Sequence, residues 1–165
     1  MTYVQKMGVY LKKHSDEYNI ETVEYTKTLV KKIETDKGVI YDLFKEKNIK
    51  FERFLEETMM LSEYRLKYFG NVELSKKDFE EVLDFLIIEI DVEKLLKNGH
   101  LEEYDLEDDD SVVYVPDQFA VDFMKEKYDI DLEIDKPFDY NIFYEEPDEE
   151  YDKPIFDLLN NICLN

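Results

Sequence analysis

The sequence predicts an α+β fold, in which an N-terminal helical bundle is followed by a smaller, acidic mixed α/β part with a short antiparallel sheet. Two changes of pattern predict it. Through the first hundred positions, apolar residues recur three and four apart, the period of a helix with one buried face. Beyond His100 the runs become short, β-branched or alternating, the habit of strands. The size is adequate for both parts. A chain of 165 residues with 44% hydrophobic and 15% aromatic side chains buries roughly 70% of its unfolded surface. The boundary is expected near residue 100, giving a helical domain over 1–100 and an acidic domain over 101–165.

Met7, Tyr10, Leu11 and His14 follow the spacing of a short amphipathic helix. A second helix is expected from Ile20 to Thr35, with Val23, Val30 and Ile33 on one side and Lys37-Gly38 as its stop. Val39, Ile40, Leu43 and Phe44 form a third face that ends near Asn48. Phe51, Phe54, Leu55 and Thr58 begin a fourth, which the pattern breaks near Leu61-Ser62 before it continues through Leu66 to Phe69-Gly70. Ser75 caps the next helix, with Asp78 three residues on as a short-armed capping box. Phe79, Val82, Leu83, Leu86, Ile87 and Ile90 make its stripe, and Asn98-Gly99 ends it. Phe85 and Ile88 lie off that stripe, so this helix is expected to be the central and most buried one.

In the acidic part, Ser111 to Val115 reads as a strand bounded by Glu107–Asp110 and Pro116. Asp117 is placed to cap a helix through Lys127, packed by Phe119, Ala120, Phe123 and Met124. Ile130, Leu132 and Ile134 alternate with Asp131, Glu133 and Asp135, the period of a half-buried strand with its acids on the wet face. Phe138, Tyr140, Ile142 and Tyr144 suggest another strand, interrupted by Phe143. Glu145 to Pro154 reads as an acidic loop and Ile155 to Ile162 as a closing helix.

Charge is distributed unevenly between the two parts. Asp and Glu number 42 against 21 Lys and Arg, a formal net charge of −21. Residues 1–100 hold 17 bases against 20 acids, whereas residues 101–165 hold 4 against 22. A surface of this sign repels nucleic acid and anionic membranes. No apolar run is long enough to span a bilayer and the N-terminus carries no apolar signal core, so a cytoplasmic location is expected. The single Cys163 agrees with a reducing compartment.

Chemistry has few candidates. With so many carboxylates, adjacent pairs arise by chance and no spacing singles one out for acid and base catalysis. The run around Asp105 and Glu107–Asp110 lacks the turn glycine and closing Glu of a calcium loop. His14 and His100 have no second ligand at zinc spacing, and Cys163 has no activating neighbour in sequence. Phosphate-cradling and nucleophile-elbow motifs are missing from the sequence. No enzymatic activity, cofactor or metal is therefore expected.

Two binding readings remain. The stretch from Asn48 to Leu86 resembles a degenerate helix-turn-helix of the phage-repressor type, with Glu63 to Phe69 as the reading helix. That resemblance implies a DNA-binding regulator, a two-fold dimer, with Arg53, Tyr64, Arg65 and Lys67 on the DNA and the acidic part as an interaction domain. The other reading follows the carboxylates. Segregated acids interleaved with tyrosines suit docking onto a basic nucleic-acid-binding protein or nuclease, since such a partner gains the same long-range steering that brings in nucleic acid. The expected docking residues are Tyr104, Asp105, Glu107, Asp108, Asp109, Asp110, Asp131, Glu133, Asp135, Tyr144, Glu145, Glu146, Asp148, Glu149, Glu150 and Tyr151. In size and charge the chain is similar to small acidic proteins that imitate DNA, among them anti-CRISPR and anti-restriction proteins, and to immunity proteins that neutralise nuclease toxins. That likeness implies an inhibitor and assigns no residue a role. It is the reading the composition favours.

Overall fold

The structure, a computed structural model, describes residues 1–106 and 111–140. In chain order these form α1 (Tyr3–His14), a 3-10 turn (Ser15–Glu17), α2 (Ile20–Asp36), α3 (Val39–Glu46), α4 (Phe51–Phe69), α5 (Lys76–Lys97), β1 (Leu101–Leu106), β2 (Ser111–Pro116) and α6 (Gln118–Tyr128). The fold is α+β, with its helices mostly N-terminal and one short antiparallel sheet. Two compact units divide between Leu86 and Ile87, inside α5. The expected boundary followed the Asn98-Gly99 stop. No stop marks the real division, because α5 carries core residues both before it (Phe79, Val82, Leu83) and after it (Ile88, Val92, Leu95).

In the first unit, α1 starts earlier than its apolar spacing indicates because Thr2 caps it. The Thr2 hydroxyl accepts from the Gln5 amide at 3.1 Å, and the Gln5 side chain accepts from the Thr2 amide at 2.8 Å. This brings in Tyr3, whose ring stacks on Phe51 at 4.6 Å. α2 ends at Lys37, left-handed at φ 45°, and Gly38 begins α3. Phe44 lies 4.8 Å from Phe54, which meets Phe79 edge-on at 6.0 Å. Around these aromatics the core is filled by Leu29, Val30, Ile33, Leu55, Met59 and Leu74. Phe85 and Ile88 are buried as well, so α5 is apolar on more than one side, while Ile87 and Ile90 of its expected stripe are only half-buried.

The turn expected at Leu61-Ser62 does not exist. α4 runs unbroken from Phe51 to Phe69 and ends at Gly70, left-handed at φ 73°. Its buried residues are Phe51, Phe54, Leu55, Glu57, Thr58, Met59, Ser62 and Arg65, a helical stripe that continues through the polar Ser62 and Arg65. The sequence looks broken there only because Ser and Arg interrupt the apolar pattern. Ser62 is accommodated by donating its hydroxyl to the Val72 carbonyl at 2.7 Å. Without a turn at Leu61-Ser62, Glu63 to Phe69 is the second half of α4 and not a separate reading helix.

The second unit packs Ile88, Val92 and Leu95 of α5 with Leu101, Tyr114, Ala120, Met124, Leu132 and Phe138. β1 and β2 form an antiparallel hairpin with Leu101 opposite Pro116 and Leu106 opposite Ser111. Asp117 caps α6 as expected, accepting from the Ala120 amide at 2.9 Å. Ile130 to Ile134 is not a strand. After Asp129, left-handed at φ 56°, the Ile130 amide bonds back to the Met124 carbonyl, and the chain turns at Ile134-Asp135 with Asp135 at φ 63°. Alternation of burial holds through Leu132 and fails at Ile134, which is 48% exposed. Of the strand expected from Phe138, the structure shows a single bridge between Phe138 and Tyr114. Its remainder from Asn141, the loop at Glu145–Pro154 and the closing helix lie outside the described residues.

Candidate interaction surface

Leu101 is buried and the other five residues of β1 are exposed. Alternation puts Glu102, Tyr104 and Leu106 on one face of the hairpin, beside Val115 and Val113, and Glu103 and Asp105 on the other, beside Tyr114 and Val112. Two residues apart, Tyr104 donates its hydroxyl to Glu102 at 2.5 Å. That bond and the carboxylate charge raise the Tyr104 pKa above its ordinary value. On the opposite face, burial and then the charge of Glu103 raise Tyr114, and burial with the neighbouring Tyr114 raises Tyr140. These phenols stay neutral donors among carboxylates. On the exposed strand this leaves negative charge beside the ring of Tyr104.

The second set of expected docking residues is arranged differently. Asp131, Glu133 and Asp135 are exposed, but Asp131 meets Lys125 at 2.9 Å, with Asp129 on the same ammonium at 2.7 Å, and Glu133 meets Lys136 at 3.1 Å. The hydrogen bonds that Lys125 donates to Asp129 and Asp131 hold it well above its ordinary value, and Lys125 in turn holds Asp129 below. Asp135 donates its amide to Pro116 at the root of the hairpin, whereas Asp105 lies opposite Val112 toward the tip. The two sets are therefore separate: Asp131 and Glu133 are paired with lysines, whereas Glu102 on β1 accepts from Tyr104. Glu107, Asp108, Asp109, Asp110, Tyr144, Glu145, Glu146, Asp148, Glu149, Glu150 and Tyr151 lie outside the described residues.

Sequence reasoning missed Glu102 and Glu103, because β1 itself left no signal. Leu101 falls on one face and Tyr104 and Leu106 on the other, so the strand has no two-residue apolar period. The remaining clue was that the β-branched run of β2 needs a partner. A second unexpected feature is His100, whose Nδ1 lies 2.9 Å from Asp117 and whose ring stacks on Phe119 at 4.1 Å. The Ala120 amide and then His100 hold Asp117 below the usual carboxylate range. His14 sits 3.3 Å from Glu17.

The residues expected to read DNA are mostly engaged elsewhere. Arg65 is 1% exposed and bonds Asp78 at 2.7 Å, so its guanidinium cannot reach a phosphate. Arg53 pairs with Glu56 at 2.7 Å and Glu57 at 2.9 Å. Tyr64 and Lys67 are exposed, Tyr64 against the Tyr68 ring at 4.5 Å and Lys67 over that ring at 5.2 Å. Among the described residues, no group of three or more His, Cys, Asp or Glu is arranged to hold a metal, and no helix is long and apolar enough to cross a membrane. No family model, curated protein or solved structure matches the chain.

Proposed function

We propose that this is a non-enzymatic acidic binding protein that works in the cytoplasm and occupies the nucleic-acid-binding surface of a basic partner. The partner is a nuclease or another nucleic-acid-handling protein, and the mode of action is DNA-mimic-like, as in anti-restriction or anti-CRISPR inhibition or in immunity to a nuclease toxin. The observation that carries this reading is where the charge lies. Residues 87–140 hold 18 acids against 5 bases, while residues 1–86 hold 17 against 15. Within the acidic unit, Glu102, Glu103, Tyr104 and Asp105 stand exposed along one strand. Carboxylates concentrated on one unit repel each other, and a cationic partner is what offsets that repulsion.

The test uses a panel of purified basic DNA-binding proteins and nucleases at low salt, with duplex DNA as competitor. The expected result is that at least one member binds the protein, that duplex DNA displaces it, and that Glu102→Lys/Glu103→Lys/Asp105→Lys weakens binding by about tenfold or more. Binding that duplex DNA does not displace, or no binding to any member, contradicts the reading.

A further inference from the structure

The backbone of β1 carries information its side chains do not. Tyr114 both donates to Phe138, at 2.8 Å, and accepts from it, at 2.9 Å, so its amide and carbonyl point away from β1. The Pro116 carbonyl points the same way, accepting from the Asp135 amide at 3.1 Å. In an antiparallel ladder, residues opposite such positions form the non-hydrogen-bonded pairs. Glu103 lies opposite Tyr114 and Leu101 opposite Pro116, and alternation adds Asp105. The bonds to β2 therefore run through Glu102, Tyr104 and Leu106, and the backbone groups of Leu101, Glu103 and Asp105 face outward. Among the described residues, no strand pairs with that outer edge.

Leu101 is buried, so the exposed edge is Glu102–Leu106, about 17 Å at ~3.3 Å per residue, and such an edge is a template for another extended chain. Its side chains decide which chain. A second copy of β1 would set carboxylate against carboxylate, since Glu102, Glu103 and Asp105 line both faces, and like charges directly opposite destabilise a strand pair. A strand bearing Lys or Arg gains from the same positions. We propose that the outer edge of β1 takes up an extended, Lys- or Arg-bearing segment of the partner by strand addition. Main-chain bonds to Glu103 and Asp105 would supply affinity, and the carboxylates would supply selection. This rests on the acidic-surface reading above and makes it specific to one strand.

The probe is a synthetic peptide of alternating Lys and Val as long as β1, titrated into the full-length protein at low salt and followed by amide hydrogen exchange. The expected result is that exchange of the Glu103 and Asp105 amides slows at saturation while the Glu102 and Tyr104 amides, already bonded to β2, change little. A peptide of the same charge with its backbone amides N-methylated should bind about tenfold more weakly, the loss of one or two hydrogen bonds. Equal binding of the two peptides with no protection at Glu103 and Asp105 overturns strand addition and leaves the acidic surface standing. No binding of either peptide overturns both. Glu103→Gln, which keeps the amide, should bind the parent peptide more weakly yet still show protection at Asp105; loss of charge sensitivity there would overturn the selection by carboxylates.

Discussion

Arg65 shows how one residue can redirect a functional reading. Its Nη2 donates to Asp78 at 2.7 Å, and the other Asp78 oxygen accepts from the Ser75 amide at 3.0 Å while Ser75 accepts from the Asp78 amide at 3.1 Å. The reciprocal cap was legible in the sequence, because Ser and Asp stand at capping spacing. The arginine was not, since arginines are mostly exposed and only the packing of α4 buries this one. Removing it would leave a buried carboxylate without its cation, so Arg65→Ala is expected to lower unfolding free energy by about 3–5 kcal/mol in urea titrations. A loss under about 1 kcal/mol would contradict the structural role. Glu63 gives a pH-dependent counterpart. Burial raises its pKa, but hydrogen bonds from the Asn19 side chain and backbone and from Thr22 outweigh this and leave it below the ordinary 4.5. A depressed folded pKa means stability that is present above the unfolded value and lost as pH falls through the folded one. Glu63→Gln should therefore cost about 1 kcal/mol near neutral pH and show a shallower loss of melting temperature below that value. Parallel melting curves against pH for the two proteins would argue against the assignment.

At the scale of elements, helices with an apolar stripe were readable and extended segments were less so. α6 begins at its Asp117 cap and α2 ends at its Lys37-Gly38 stop, where the sequence signals place them, because caps and stops are local chemistry. The continuity of α4 was hidden by Ser62 and Arg65, whose burial depends on partners elsewhere in the chain. A substitution separates the two views of that region. Leu61→Pro should cost about 3 kcal/mol or more, since proline in a helix interior removes a hydrogen bond and clashes with the preceding turn; a turn would tolerate it. Strand periodicity misled in the opposite direction at Ile130–Ile134, where alternation was present but, among the described residues, no strand pairs with it. β1 had a partner and no alternation. A strand is specified by its neighbour as much as by its own sequence, so this part of the candidate surface was only half legible: Tyr104 and Asp105 were found, Glu102 and Glu103 were not.

Over the whole molecule, residues 87–140 of one unit carry a net −13 of the formal −21, against −2 for residues 1–86 of the other. At low ionic strength those carboxylates act on one another over a Debye length of about 10 Å or more, and added salt screens them. The free protein should therefore melt at a higher temperature as NaCl is raised from low concentration, whereas a complex held by those carboxylates should weaken over the same range. Opposite responses of folding and binding to one variable are the signature of charges kept for a partner. The most direct measurement is the affinity for the basic partner as a function of salt, for the native protein and for Glu102→Lys/Glu103→Lys/Asp105→Lys. A logarithmic affinity that falls steeply with logarithmic salt, and a clearly shallower slope in the variant, is the predicted result. An affinity indifferent to salt, or a slope the three substitutions leave unchanged, would contradict it.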